Sequence, residues 1–124
     1  MTELIYENLS GKIRQAAFEV HRYFGNGYLE KAYENALAYH LKKDGIFIIQ
    51  QAPLNVYYEK NVVVGEYVAD LIIENKIIIE LKAVEILKKI HFAQVKNYLK
   101  TTGYRLGILI NFGKPILEFK RIVL

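Results

Sequence analysis

The chain contains no cysteine among its 124 residues. Disulfides, zinc–thiolate sites and cysteine nucleophiles are therefore excluded, and a reducing compartment is the natural expectation. No apolar run approaches the roughly 20 residues needed to span a bilayer. The opening Met-Thr-Glu-Leu-Ile-Tyr-Glu lacks a basic stretch followed by an apolar one, so a cytoplasmic location away from membranes is expected. Other patterns are missing too: there is no Gly-x-Ser-x-Gly elbow, no Rossmann glycine fingerprint and no Walker lysine. His21, His40 and His91 fall in predicted helices without metal-ligand spacing, which speaks against zinc. His21 and His40 read as packing or surface residues, while His91, one turn before Gln94, stays open. No recognition helix, base-reading motif, internal repeat or low-complexity segment stands out, so sequence-specific contact with a nucleic acid is not expected.

What is present is globular: 52% hydrophobic and 24% charged residues, in a length that fits one domain over residues 1–124. The net charge of +4 conceals an asymmetry. From Lys82 to Leu124 there are nine Lys or Arg against two acids, a net of +7, and the preceding residues carry −3. A basic half is the electrostatic footprint of a polyanion binder, with solubility as the plainer explanation.

Apolar residues at helical spacing predict a helix over about Tyr6 to Phe24, stopped by Gly25-Asn26-Gly27. Without a preceding strand or a Walker lysine, that triplet reads as a helix stop and not as a phosphate cradle. A second helix is predicted from about Leu29 to Lys43, ending at Asp44-Gly45. Strand-like runs follow at Ile46 to Gln50 and Leu54 to Glu59, with Pro53 interrupting between them. Lys60-Asn61 reads as a turn and Gly65 as a bulge before the strand from Tyr67. A third helix over about Leu87 to Thr101 ends at Gly103. Strands at Arg105 to Asn111 and Ile116 to Val123, split by Gly113-Lys114-Pro115, complete the chain.

The most informative stretch is Tyr67 to Lys82, two β-rich runs around a polar turn. Side chains alternate along a strand, so Glu80 and Lys82 share a face. If the loop is Glu74, Asn75 and Lys76, with Asn75 accepting a left-handed conformation, Ile73 pairs with Ile77 and Asp70 lies opposite Glu80. A two-residue loop would instead pair Asp70 with Leu81 and send the acids to opposite faces. Two facing carboxylates call for something positive between them, a divalent cation or, more plainly, Lys82 and water at a solvated rim.

The predicted helices supply further candidates. On the second helix, Glu30 falls inside the apolar arc and Glu34 just outside it, so Glu30 is expected to turn toward the acids and Glu34 to reach water. The competing explanation for Glu30 is a charge favoured by the helix dipole. On the third, Gln94 and Tyr98 stack four residues apart beside His91, and Lys89, Lys96 and Lys100 form a basic stripe. That stripe is either a nucleic-acid track or an ordinary solvated face.

Gly27-Tyr28-Leu29-Glu30-Lys31-Ala32-Tyr33 resembles the signature of the GxxExxY proteins, a branch of the PD-(D/E)XK nuclease superfamily. Gly65 through Asp70, Glu80 through Val84, Gln94 through Tyr98 and Leu109 through Gly113 resemble further blocks of that family in the same order, across nearly the whole chain. Ala69 stands where the name-giving proline would be. The resemblance implies an α/β, restriction-endonuclease-like fold: a mixed sheet flanked by helices, in the order two helices, strands, one helix, two strands. It implies that Asp70, Glu80 and Lys82 match the acid, acid and lysine of the core, and that Glu30 matches the first-helix glutamate. Gln94 and Tyr98 resemble the glutamine and tyrosine of a Q-xxx-Y element. The implied activity is metal-dependent hydrolysis of nucleic-acid phosphodiesters without sequence specificity, with DNA favoured and RNA left open. Mg2+, or Mn2+ in its place, would be held by Asp70, Glu80 and Glu30. The alternative is a non-catalytic module that keeps the fold and binds nucleic acid or protein. Pairing of two copies through the C-terminal strand as an edge is a further option.

Overall fold

Two helices precede any strand in the computed structural model, which describes residues 4–124: α1 (Glu7–Phe24) and α2 (Glu30–Lys43). Strands β1 (Ile48–Tyr58), β2 (Val62–Ile73) and β3 (Ile77–Lys82) follow, then α3 (Lys89–Thr102), β4 (Leu106–Asn111) and β5 (Glu118–Val123). The five strands lie side by side in chain order. Neighbours are antiparallel except β3 and β4, which run parallel with α3 as their crossover. This is the restriction-endonuclease-like mixed sheet, with helices on both faces.

Alternation along β3 and β4 divides the core. Ile77, Ile79, Leu81, Leu106, Ile108 and Ile110 pack with Ile13, Val20, Leu37 and Leu41 of α1 and α2. Ile78 and Leu109 turn the other way, against Val95 and Leu99 of α3. Covered on both faces, β3 and β4 are near-continuous apolar runs, as parallel central strands require. Each fully buried Ile or Leu contributes about 1.5–3 kcal/mol, so these two strands anchor the sheet.

The hairpin loop is the one the sequence implies: Ile73 pairs with Ile77, and Glu74 and Asn75 both take positive φ. Pro53, by contrast, does not interrupt β1, which runs unbroken through it. As the edge strand, β1 has an unpaired side where a missing N–H is harmless. The bulge lies beside the expected glycine: Val56 pairs with Gly65 and Tyr57 with Val63, leaving Val64 as the extra residue.

β2 pairs with β3 only over Leu71, Ile72 and Ile73. Its earlier residues pair with β1 alone, so the outer β1–β2 hairpin extends from the sheet as an arm. Tyr57, Tyr58, Val62, Val63 and Val64 are exposed on it. No helix of the described residues is long and apolar enough to cross a membrane.

Two glycines mark close approaches around α3 and the loop after β3. A Cβ at Gly107 would lie 2.4 Å from Val95 Cγ1, where α3 packs on β4. One at Gly113 would lie 2.3 Å from the Val84 backbone nitrogen. A side chain yields more readily than a backbone, which sets an order of cost. Gly107→Ala should destabilise by about 1–3 kcal/mol and Gly113→Ala by more, read from urea unfolding midpoints. Equal losses would mean that the loop over Gly113 gives way freely.

Candidate active site

Beyond Leu71 and Ile79 the ladder between β2 and β3 ends, and the two strands fork. Backbone N–H groups at such a divergence need new acceptors. Asp70 and Glu80 provide them for each other's strand: the Asp70 N–H donates to Glu80 Oε1 at 3.0 Å, and the Leu81 N–H donates to Asp70 Oδ2 at 2.9 Å. The two carboxylates therefore face each other across the fork, each committing one oxygen to the sheet. Glu80 is only 4% exposed. Lys82, on the same face of β3, is half-buried and lines a cleft with Gln94 and Tyr98 of α3.

The electrostatics follow from this burial. Desolvation, then the neighbouring Asp70 charge, pushes the Glu80 carboxyl up to about 8. The Asp70 N–H and Lys82 pull the other way, and Glu30 adds a smaller upward push. Asp70 is raised as well, by burial first and by Glu34 among the charges, against the bond from Leu81 and the amide of Gln51. Burial followed by the charge of Glu80 lifts the Tyr98 hydroxyl to about 12, so it stays protonated at neutral pH. Gln94 Nε2 donates to that hydroxyl at 3.0 Å, the contact their four-residue spacing implies.

α2 delivers its two glutamates in the opposite order of burial from the one its apolar arc suggests. Glu34 is 4% exposed, whereas Glu30, at the first position of the helix, is exposed. The arc considers one helix alone. Here β1 covers its margin: Gln50 Nε2 and Gln51 Nε2 each donate to Glu34 at 2.8 Å, and Lys31 approaches at 3.3 Å. Gln51 Nε2 also reaches Asp70 Oδ1 at 3.3 Å, which makes Glu34 the glutamate linked to Asp70, while the charge of Glu30 acts on Glu80 and His91. Tyr33 fixes the entry to α2, donating its hydroxyl to the Gly25 carbonyl at 2.5 Å and accepting from the Tyr28 N–H at 3.1 Å.

Adjacent residues of a strand point to opposite faces, yet Gln50 and Gln51 both reach Glu34. The reason is a φ of +50° at Gln51. The strand pair coils at this point, and Ala69 packs on the α3 side although Leu71, two residues on, packs on the α1–α2 side. A left-handed conformation at a non-glycine residue costs on the order of 1 kcal/mol, which the surrounding hydrogen bonds offset.

Lys89, Lys96 and Lys100 are exposed on α3. His91 Nδ1 accepts the Lys88 N–H at 3.0 Å, and burial followed by the charges of Lys82 and Lys88 pushes its pKa down. His21 bonds the Lys114 carbonyl and His40 pairs with Glu19, both structural contacts. Asn111, fully buried, was not marked by spacing or charge: its amide holds both the Val84 N–H and the Val84 carbonyl and also donates to Glu118. Its only signal is a polar residue within the apolar run from Leu106 to Phe112.

The amide cluster gives a double-mutant test. Gln51→Met should cost about 1–3 kcal/mol by leaving a buried carboxylate short of a donor. Glu34→Leu combined with Gln51→Met should cost less than the two single changes added together. Strict additivity in denaturant unfolding would show that the two side chains do not depend on each other.

The profile described as the PD-(D/E)XK nuclease superfamily matches residues 7–122. Among curated proteins and solved structures nothing matches the chain. The match runs from the start of α1 into β5 and takes in the forked strands with Asp70, Glu80 and Lys82, so the chain belongs to the PD-(D/E)XK nuclease superfamily.

Proposed function

We propose that the protein is a metal-dependent nuclease that hydrolyses nucleic-acid phosphodiester bonds, DNA before RNA, without sequence specificity. The observation that carries this reading is the pair of carboxylates facing across the β2–β3 fork with Lys82 on the same strand face. Among the described residues no group of three or more His, Cys, Asp or Glu could by itself hold a metal ion. Magnesium suits such a site, because it keeps several waters and takes one or two carboxylates plus substrate phosphate oxygens.

Asp70 and Glu80 would hold the ion, with Glu30 at the N-terminus of α2 as an outer acceptor reached through water. Bound there, Mg2+ or Mn2+ polarises the phosphate and acidifies a water molecule. Lys82 supplies positive charge beside the scissile phosphate, where negative charge grows in the transition state. Gln94 and the neutral Tyr98 hydroxyl line the lysine side of the cleft and orient the backbone. Lys89, Lys96 and Lys100 provide the track for neighbouring phosphates. The alternative, a binding module without chemistry, uses the same track and leaves to the opposed acids only their bonds to the strand N–H groups.

Cleavage of linear, nicked, single-stranded and branched DNA and of RNA, with and without chelator, tests the reading. Asp70→Asn, Glu80→Gln and Lys82→Ala should each lower turnover by on the order of a hundredfold or more, and Lys82→Ala should leave Mn2+ affinity largely intact. Activity that persists in chelator would place the chemistry elsewhere.

The raised carboxyl of Glu80 also has a stability signature. The unfolded chain releases this proton near 4.5 and the folded one holds it to about 8, so the folded state binds more protons between these values. Stability in chelator should therefore be greatest below pH 4.5 for this group and fall as pH rises from there through about 8. Mn2+ replaces the proton, so it should raise Tm more at pH 8 than at pH 5. A Tm increment independent of pH would remove Glu80 from the ion's site.

A further inference from the structure

A cleft of about 450 Å3 opens beside Lys82, within the ~300–1,000 Å3 range of small-ligand sites. Its walls come from two elements: Tyr67 from the root of the β1–β2 arm, and Ile90, Gln94, Asn97 and Tyr98 from α3. The Tyr67 and Tyr98 rings meet at 5.5 Å with 43° between their planes. Tyr98 is held in place by Gln94 and is buried, while Tyr67 keeps 38% of its surface exposed. Ile90, also in the lining, is 70% exposed. Catalysis at Asp70, Glu80 and Lys82 needs neither the Tyr67 ring nor Ile90.

We infer that the cleft receives one unpaired nucleobase of the substrate, next to the phosphate held at Lys82, and that the protein therefore acts on single-stranded or frayed nucleic acid. The inference rests on the nuclease reading for the position of that phosphate. Three features select this occupant. Lys82 belongs to both the cleft and the catalytic face, so a nucleotide whose phosphate lies at the lysine has its base within the cleft. The walls offer an aromatic face and an aliphatic one, and every base has a π-face to place against them. The exposed Asn97 adds to the lining an amide that can meet donors or acceptors of any base edge, which fits binding without sequence preference. In an intact duplex both faces of a base are covered by its neighbours, so only an unpaired one can enter.

The test measures binding in Ca2+ with an octamer of deoxythymidine, an octamer of abasic sugars with the same phosphate count, and a blunt duplex of eight base pairs. The parent should bind the thymidine octamer about 5- to 150-fold more tightly than the abasic one, the range expected for stacking on one base. Tyr67→Ala should erase that preference and leave the abasic octamer and the duplex bound as before. Ile90→Ser, at an exposed position where the fold does not depend on the side chain, should reduce it partly. Equal binding of the two octamers by the parent, tighter binding of the duplex, or a preference that survives in both variants would overturn the inference. Loss of the preference in Tyr67→Ala together with absence of cleavage in Mg2+ and Mn2+ would keep the base site and discard the nuclease reading.

Discussion

Every buried backbone N–H needs an acceptor, and that requirement governs the centre of this molecule. Where β2 turns away from β3, the N–H groups of Asp70 and Leu81 would be left without ladder partners. The carboxylates of Glu80 and Asp70 fill those places. The atoms that close the sheet are thus the atoms that form the candidate site, and the site's geometry inherits the regularity of the strands. An acid pair held this way needs no dedicated loop to position it.

The same arrangement creates an electrostatic debt of charge within a low-dielectric interior. Burial drives both acids toward the protonated form, joined by the charge of Asp70 at Glu80 and that of Glu34 at Asp70, with Lys82 opposing. Glu34 adds another buried carboxylate behind Asp70, and the chain answers it with amides from Gln50 and Gln51 and a lysine from its own helix. The positive φ of Gln51 belongs to this answer, since it lets neighbouring strand residues serve one partner. Local strain, sheet coiling and charge compensation therefore coincide at one point of β1.

The sequence was most legible where a short-range rule decided the outcome. The parity of Asp70 and Glu80 depended on a loop length that Asn75 could indicate, and that loop formed with Ile73 opposite Ile77. Helical periodicity located all three helices, and four-residue spacing placed Gln94 against Tyr98. What stayed hidden depended on neighbours distant in the chain. The burial of Glu34 needs β1 at the edge of α2, and the harmlessness of Pro53 needs knowledge that β1 lies at the edge of the sheet. The role of Asn111 requires the loop after β3 to pass directly over Gly113.

Asp70 and Glu80 sit on different supports. Glu80 lies on β3, paired along its length with β4 and clamped between helices, whereas Asp70 lies where β2 leaves β3 for a hairpin with β1 that is braced against α3 through Ala52, Leu54 and Ala69. One carboxylate thus belongs to the frame of the sheet and the other to the base of a projecting hairpin, beside the left-handed Gln51. The separation of the two carboxylates is therefore set by how this hairpin seats on α3, and the same seating fixes Tyr67 against Tyr98.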